Sequence, residues 1–146
     1  KIIMLSLSCK AAIKSVIFLG SKYETGEKFS IKDIASHINE NEHTIGKILQ
    51  KLVKYKIIFS SKGPNGGFYI TEKQTNQPII KIVEAIDGQE IFKQCGLGLA
   101  KCSESHPCPF HTDFKPVREL FKKMCEEKKI IDLYLNVNEG FAYLTG

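Results

Sequence analysis

The chain has 146 residues, of which 42% are hydrophobic and 25% charged, enough for one compact core with an appended element and ordinary for a globular protein. Its longest apolar run, Ser15 to Gly20, falls far short of the ~18 residues of a membrane helix, and no small-residue cleavage site follows it; neither a membrane span nor a signal peptide is expected. The net charge is +5, and residues 1–73 carry twelve lysines against six acids whereas residues 74–146 carry nine basic against ten acidic side chains; positive charge gathered in one half suggests an anionic partner, nucleic acid first.

Residues 7 to 20 read as a first helix with Ser8 as N-cap. Cys9, Ala12, Ile13, Val16 and Ile17 share one side at helical spacing, and Phe18 and Leu19 make a second side apolar. A helix apolar on two faces is buried, here between its own domain and a partner subunit. Ser30-Ile31-Lys32-Asp33 has the form of a capping box and starts a second helix, with Ile31, Ile34, Ala35 and Ile38 inward. A polar turn from Asn39 to Glu42 follows, and one of its two asparagines caps a third helix running to about Lys54. In that helix Ile45, Ile48, Leu49, Leu52 and Val53 form one stripe, while His43, Thr44, Lys47, Lys51 and Lys54 lie on the other side. Two short helices joined by a tight turn, the second with a basic outer face, are the helix-turn-helix pattern.

Two β-prone runs, Ile57–Ser61 and Phe68–Ile70, flank Lys62-Gly63-Pro64-Asn65-Gly66-Gly67. They predict a hairpin around an Asn-Gly turn with Lys62 at its tip, and a hairpin directly after a recognition helix is a wing. Pro78 opens the next helix, with Ile79, Ile82, Val83 and Ile86 inward, and Asp87-Gly88 ends it. Residues 94 to 111 form a Cys/Gly/Pro loop. From about Thr112 a long helix places Phe114, Val117, Leu120, Phe121, Met124 and Cys125 at three- and four-residue steps, with Pro116 in its first turn. That apolar stripe lies outside the winged core, and a second copy of the chain is its expected cover. The stretch from Ile130 to Gly146 is mixed and has no assignable element. The fold class is therefore mainly α with a small β-hairpin wing: a winged helix-turn-helix domain over 1–88, a cysteine-rich loop over 89–111, and a dimerisation helix with a C-terminal tail over 112–146.

The pieces divide the work of binding double-stranded DNA. Asn41, His43 and Thr44 stand at the N-terminal end of the recognition helix, where side chains reach base edges in the major groove. Lys47 and Lys51 suit phosphates, which position a protein without reading sequence. Lys62, Asn65 and Gly66 of the wing can enter the neighbouring minor groove, the glycines permitting close approach. Nothing in the chain forms a nucleophile–base–orienter set or a phosphate-cradling loop, so an enzyme is not expected.

Five cysteines, at 9, 95, 102, 108 and 125, make an odd count, which without a signal peptide points to a reducing, cytoplasmic compartment. Cys95, Cys102 and Cys108 fall within fourteen residues, with six and then five residues between them, and His111 follows after Pro109 and Phe110. Zinc knuckles pair their thiolates as Cys-x-x-Cys on one turn, and that pairing is absent. A wider loop of three thiolates suits the larger radius of an iron–sulfur cluster, which usually takes four ligands. Cys125, on the apolar stripe, reads as core.

The order of four segments resembles the bacterial winged-helix regulators typified by IscR, NsrR and CymR, the Rrf-two family. They are Leu5-Ser6 with Ala12–Val16, Ile34-Ala35 through Ile45 to Leu52, the wing signature Ser61-Lys62-Gly63-Pro64-Asn65-Gly66-Gly67-Phe68, and Ile82–Gly88 followed by the three-cysteine loop. The resemblance implies a homodimeric transcription regulator, a repressor on a palindromic operator, and a 2Fe-2S or 4Fe-4S cluster on Cys95, Cys102 and Cys108. His111 matches the fourth ligand of the IscR-like members; Cys9, His106 and an exogenous ligand stay open beside it. The NsrR-like members use an acid from the opening helix of the other subunit, where Lys10 stands here. Two further departures are Lys62 in place of the usual wing Arg, a point charge instead of a planar fork, and Gly46 where some members carry a base-reading carboxylate. Such a cluster would order the loop against the dimer helix and so control operator affinity, sensing redox state, nitric oxide or iron–sulfur supply. The alternatives are a cluster-free regulator switched by thiol oxidation or a partner protein and, from another class, an iron–sulfur electron carrier or thiol enzyme.

Overall fold

Ser6 starts the first helix of the computed structural model, which describes residues 4–146; residues 1–3 of the predicted first domain lie outside the described residues. The Ser6 hydroxyl accepts the Cys9 N–H, so α1 runs Leu7–Ser21 and its cap is Ser6, not the expected Ser8. Ser6 is the better cap because its N–H and hydroxyl both donate to Asp87, which fixes it in the extended conformation a cap requires. Cys9, Ala12, Val16, Phe18 and Leu19 are all buried, as the doubled apolar face predicts. The covers are within the chain itself: α1 packs against the four helices α2 (Ile31–His37), α3 (Glu42–Lys54), α5 (Ile80–Asp87) and α7 (Ile130–Asn138).

The helix-turn-helix follows the sequence closely. Ser30 and Asp33 close the capping box of α2 with reciprocal bonds of 3.1 and 3.2 Å. The Ser30 N–H holds the Asp33 carboxyl below the usual Asp range. The carboxylate's share of the cap is thus fully present above the ordinary Asp pKa and is lost as the pH falls through the lowered one. Asn39 takes the left-handed φ of 56° that turns the chain, and Asn41, the second asparagine, caps α3. Ile45, Ile48, Leu49 and Leu52 are buried against α1 and α2.

The wing is a two-stranded antiparallel hairpin, β1 (Phe59–Ser61) and β2 (Gly67–Tyr69), in the register Phe59↔Tyr69, Ser60↔Phe68 and Ser61↔Gly67. The expected Asn-Gly turn is corrected: the Gly66 N–H donates to Gly63 O at 2.9 Å, so Pro64 and Asn65 are the central residues. Lys62 sits where the strand enters this turn, not at its tip. Proline's fixed φ suits the first central position of an ordinary β-turn, which explains the shift. Phe29 adds a third short edge, exchanging bonds of 2.9 and 2.8 Å with Phe68.

A four-residue helix unseen in the sequence, α4 (Glu72–Thr75), links the wing to α5. α5 begins at Ile80, two residues after Pro78. Gln77 and Ile79 instead bond as a strand to Ile130 and Lys128, at 3.0 and 2.8 Å. α6 runs His111–Glu127, one residue earlier than expected, because the Phe110 carbonyl already accepts the Phe114 N–H; Pro116, its sixth residue, lies in the second turn and not in the first. The unassigned tail contains α7, seated on α1 at Gly20. A Cβ built there would stand 2.7 Å from Tyr134 Cδ2 and 3.3 Å from Ile130 Cγ2. Gly20→Val is therefore expected to destabilise the fold by about 1–3 kcal/mol through overpacking, far more than the few tenths gained in helix propensity. Urea unfolding measures it, and an unchanged midpoint would remove the close α1–α7 approach as a source of stability. Among the described residues no helix is long and apolar enough to cross a membrane.

Candidate nucleic-acid interface and cysteine loop

The recognition helix and the wing each carry exposed basic side chains. Asn41 Oδ1 accepts the N–H groups of His43 and Thr44 at 2.9 and 3.2 Å; this cap commits its carbonyl and leaves its NH2 as the group free to meet a base or phosphate. His43, Thr44, Lys47 and Lys51 are all exposed along α3. Lys62 and Asn65 are exposed on the wing, with Gly66 half-buried behind them. The sequence reading missed Lys28, whose ammonium lies 5.1 Å from the Tyr69 ring centroid at the base of the wing and adds one more positive charge there.

The glycines of the wing answer first to the chain itself. A Cβ at Gly66 would stand 2.3 Å from Ser61 O, and one at Gly67 would stand 2.9 Å from Phe29 N. Gly67 also has φ 143°, a conformation open to glycine and strained for other residues. Close approach to DNA, as expected from sequence, is compatible with this but does not explain it.

The cysteine loop folds over the N-terminal half of α6. Cys102 Sγ lies 3.3 Å from His111 Nδ1, with His111 the first residue of α6. Cys95 is buried, and the Leu97 N–H reaches its Sγ at 3.4 Å. That N–H and then the Leu99 N–H hold the Cys95 thiol below its ordinary pKa; burial opposes them, and the Cys108 side chain adds to them. A Cβ at Gly96 would stand 2.8 Å from the Phe114 ring, which sets how closely the loop hugs the helix. An open cleft of about 420 Å³ runs beside it, lined by Glu90, Lys93, Gln94, Cys95, Leu99 and Cys102 among others. The structure thus brings Cys102 to His111 and Cys108 into the surroundings of Cys95. Among the described residues no three His, Cys, Asp or Glu side chains are gathered at metal-binding distances. His106 is exposed. Cys9 and Cys125 are fully buried, and burial pushes their thiols up to about 12 and about 11, the mark of inert core cysteines.

By residue type, though not gathered into one group, the donors are those an iron–sulfur cluster takes. Three thiols on one loop and the imidazole of His111 at the start of α6 are the ligand types such a cluster takes, and N–H groups aimed at a sulfur stabilise the anionic thiolate that ligation requires.

The family model of Rrf2 (Rrf-two), an iron-dependent transcriptional regulator, matches residues 5–136. The chain belongs to the Rrf2 family. Its relatives in sequence include the HTH-type transcriptional regulator NsrR of Oceanobacillus iheyensis, 24% identical over 134 residues that cover 91% of this chain and 90% of that one. Among solved structures, CymR, the global cysteine regulator of B. subtilis, superposes with a TM-score of 0.72 at 18% identity, covering 90% of this chain and 95% of that one. IscR of T. potens does so with a TM-score of 0.72 at 14% identity, over 94% and 90%. These likenesses establish the winged-helix fold. As a member of the Rrf2 family, the protein is a DNA-binding transcription regulator.

The sequence reading also missed Arg118, which is buried in α6 and reaches the loop. Its signal was present: it is the one arginine beside twenty lysines in the chain.

Proposed function

We propose that this Rrf2-family regulator is a cytoplasmic, homodimeric repressor of a palindromic operator, and that an iron–sulfur cluster, 2Fe-2S or 4Fe-4S, held by Cys95, Cys102, Cys108 and His111 sets its grip on DNA. The observation that carries this reading is the Cys102–His111 pair, 3.3 Å apart at the first residue of α6. The same helix carries an exposed apolar row suited to a second copy of the chain, so loop order and subunit geometry meet on one element. Residues 1–88 serve as the DNA-binding part, 89–111 as the ligand loop, and the helix from residue 112 as the dimer contact, with α7 returning to α1.

When bound, the cluster supplies a centre that reacts with oxidants and nitric oxide. The chain's own residues do the rest. His43 and Thr44 meet base edges, joined by the Asn41 amide; Lys47 and Lys51 meet phosphates; Lys62, Asn65 and Gly66 meet the minor groove. The order of residues 95–110 biases the tilt of α6 and so the spacing of the two recognition helices. Coupling of ~1–3 kcal/mol changes DNA affinity about 5- to 150-fold.

Anaerobic purification is expected to give a brown protein containing iron and acid-labile sulfide. Its binding to a selected palindromic duplex should fall with log salt at a slope of roughly −5, from the three lysines Lys47, Lys51 and Lys62 of each of two protomers at about −0.9 each. If cluster-loaded and metal-free protein bound that duplex equally well, cluster sensing would be wrong. A colourless, iron-free protein that still bound DNA would favour input through free thiols or a partner protein.

A further inference from the structure

Arg118 is the single arginine of the chain, and it is only 7% exposed. Its Nη1 donates to the Lys93 and Gln94 carbonyls, at 3.2 and 2.7 Å, and to Cys102 Sγ at 3.3 Å. Its Nε is buried and has no partner. The ion pairs among the described residues are Lys14–Glu40, Lys115–Glu104 and Lys123–Glu127, so no carboxylate neutralises it. A guanidinium cannot escape by losing its proton, and a buried charge is strongly disfavoured unless it is paired. Carbonyls and a thiol offer dipoles, not a counter-charge. The group in front of this unpaired cation is Cys102, whose sulfur also faces His111.

We propose that Arg118 is the fixed counter-charge of an anionic sulfur centre held at Cys102, and that it positions this sulfur while tying residues 93 and 94 to α6. This rests on the cluster reading above. A purely structural clamp on the two carbonyls would need a donor but no charge, and that difference is measurable.

Arg118→Gln keeps a donor and removes the charge; Arg118→Lys keeps the charge and removes the fork. Both are compared with the unaltered protein after anaerobic reconstitution with ferrous iron and sulfide. A nearby cation stabilises the more negative, reduced state, so Arg118→Gln is expected to shift the midpoint potential downward and weaken iron retention against a chelator about 10- to 100-fold, the usual effect of losing a group that supports a ligand. Arg118→Lys should recover most of the potential. In the metal-free protein, amide hydrogen exchange over residues 95–102 should quicken in the Gln variant, while circular dichroism and α1–α3 exchange report that the fold is intact. An Arg118→Gln variant with unaltered potential and iron retention overturns the counter-charge and leaves the cluster reading standing. If the unaltered protein takes up neither iron nor sulfide, the cluster reading fails and the counter-charge fails with it.

Discussion

A Leu120→Glu variant is expected to sediment as a monomer and to bind a duplex carrying two half-sites roughly 10²- to 10⁴-fold more weakly than the parent, the usual worth of linking two binding modules. α6 has two apolar faces. Its inner one holds Cys125, fully buried, and Phe121, whose ring centroid lies 5.8 Å from that of Phe92. Its outer one, Val117, Leu120 and Met124, is 52%, 67% and 44% exposed. Burying each such side chain contributes about 1.5–3 kcal/mol, so a two-fold interface that uses the outer row twice has enough driving force to hold a dimer. A carboxylate at its centre must be desolvated without a partner. Because Leu120 makes no core contact, the unfolding free energy of the diluted, monomeric protein should stay within about 0.5 kcal/mol of the parent. Light scattering and sedimentation decide the matter: a variant that remains dimeric removes this face as the interface, and with it the route from the cysteine loop to the DNA.

What the sequence disclosed follows the range of the interactions involved. The helix-turn-helix was legible because caps and stripes are local: Ser30 with Asp33, Asn41 with His43 and Thr44, and Ile45 to Leu52 on one face. α7 was not, because its determinant is Gly20, more than a hundred residues away, whose missing side chain admits Tyr134. The cap of α1 was misread for a similar reason: Ser6 and Ser8 are equal as local candidates, and only Asp87, at the far end of α5, selects Ser6. In the cysteine loop the residue types were readable, but not which partners they meet. The Cys102–His111 contact spans nine residues and the Arg118–Cys102 contact sixteen, and both depend on where α6 begins. The charge that faces the loop stood out in the sequence only as the single arginine among lysines; that it is buried became legible only with its surroundings.

The two wing glycines offer the sharper test of fold against DNA contact. Gly66→Ala and Gly67→Ala are each expected to destabilise the wing by about 1–3 kcal/mol, the cost of overpacking at the first and of a strained backbone at the second. At Gly66 the obstacle is Ser61 O, 2.3 Å from the new Cβ; at Gly67 it is the backbone of Phe29, 2.9 Å away, together with the φ of 143°. Neither obstacle is the end of a flexible side chain, so relief requires the hairpin to open or Phe29 to leave Phe68. Lys62 and Asn65 then lose their placement, and DNA affinity should fall about 5- to 150-fold, the equivalent of ~1–3 kcal/mol. The slope against log salt should shrink by about one per displaced lysine. The helix-turn-helix is built from separate local caps, so amide exchange in α2 and α3 should stay slow while that of Phe29 and Phe68 quickens. Were the glycines present only to admit a DNA strand, the alanine variants would lose affinity with the Phe29–Phe68 amides still protected, and the steric origin of this signature would have to be given up.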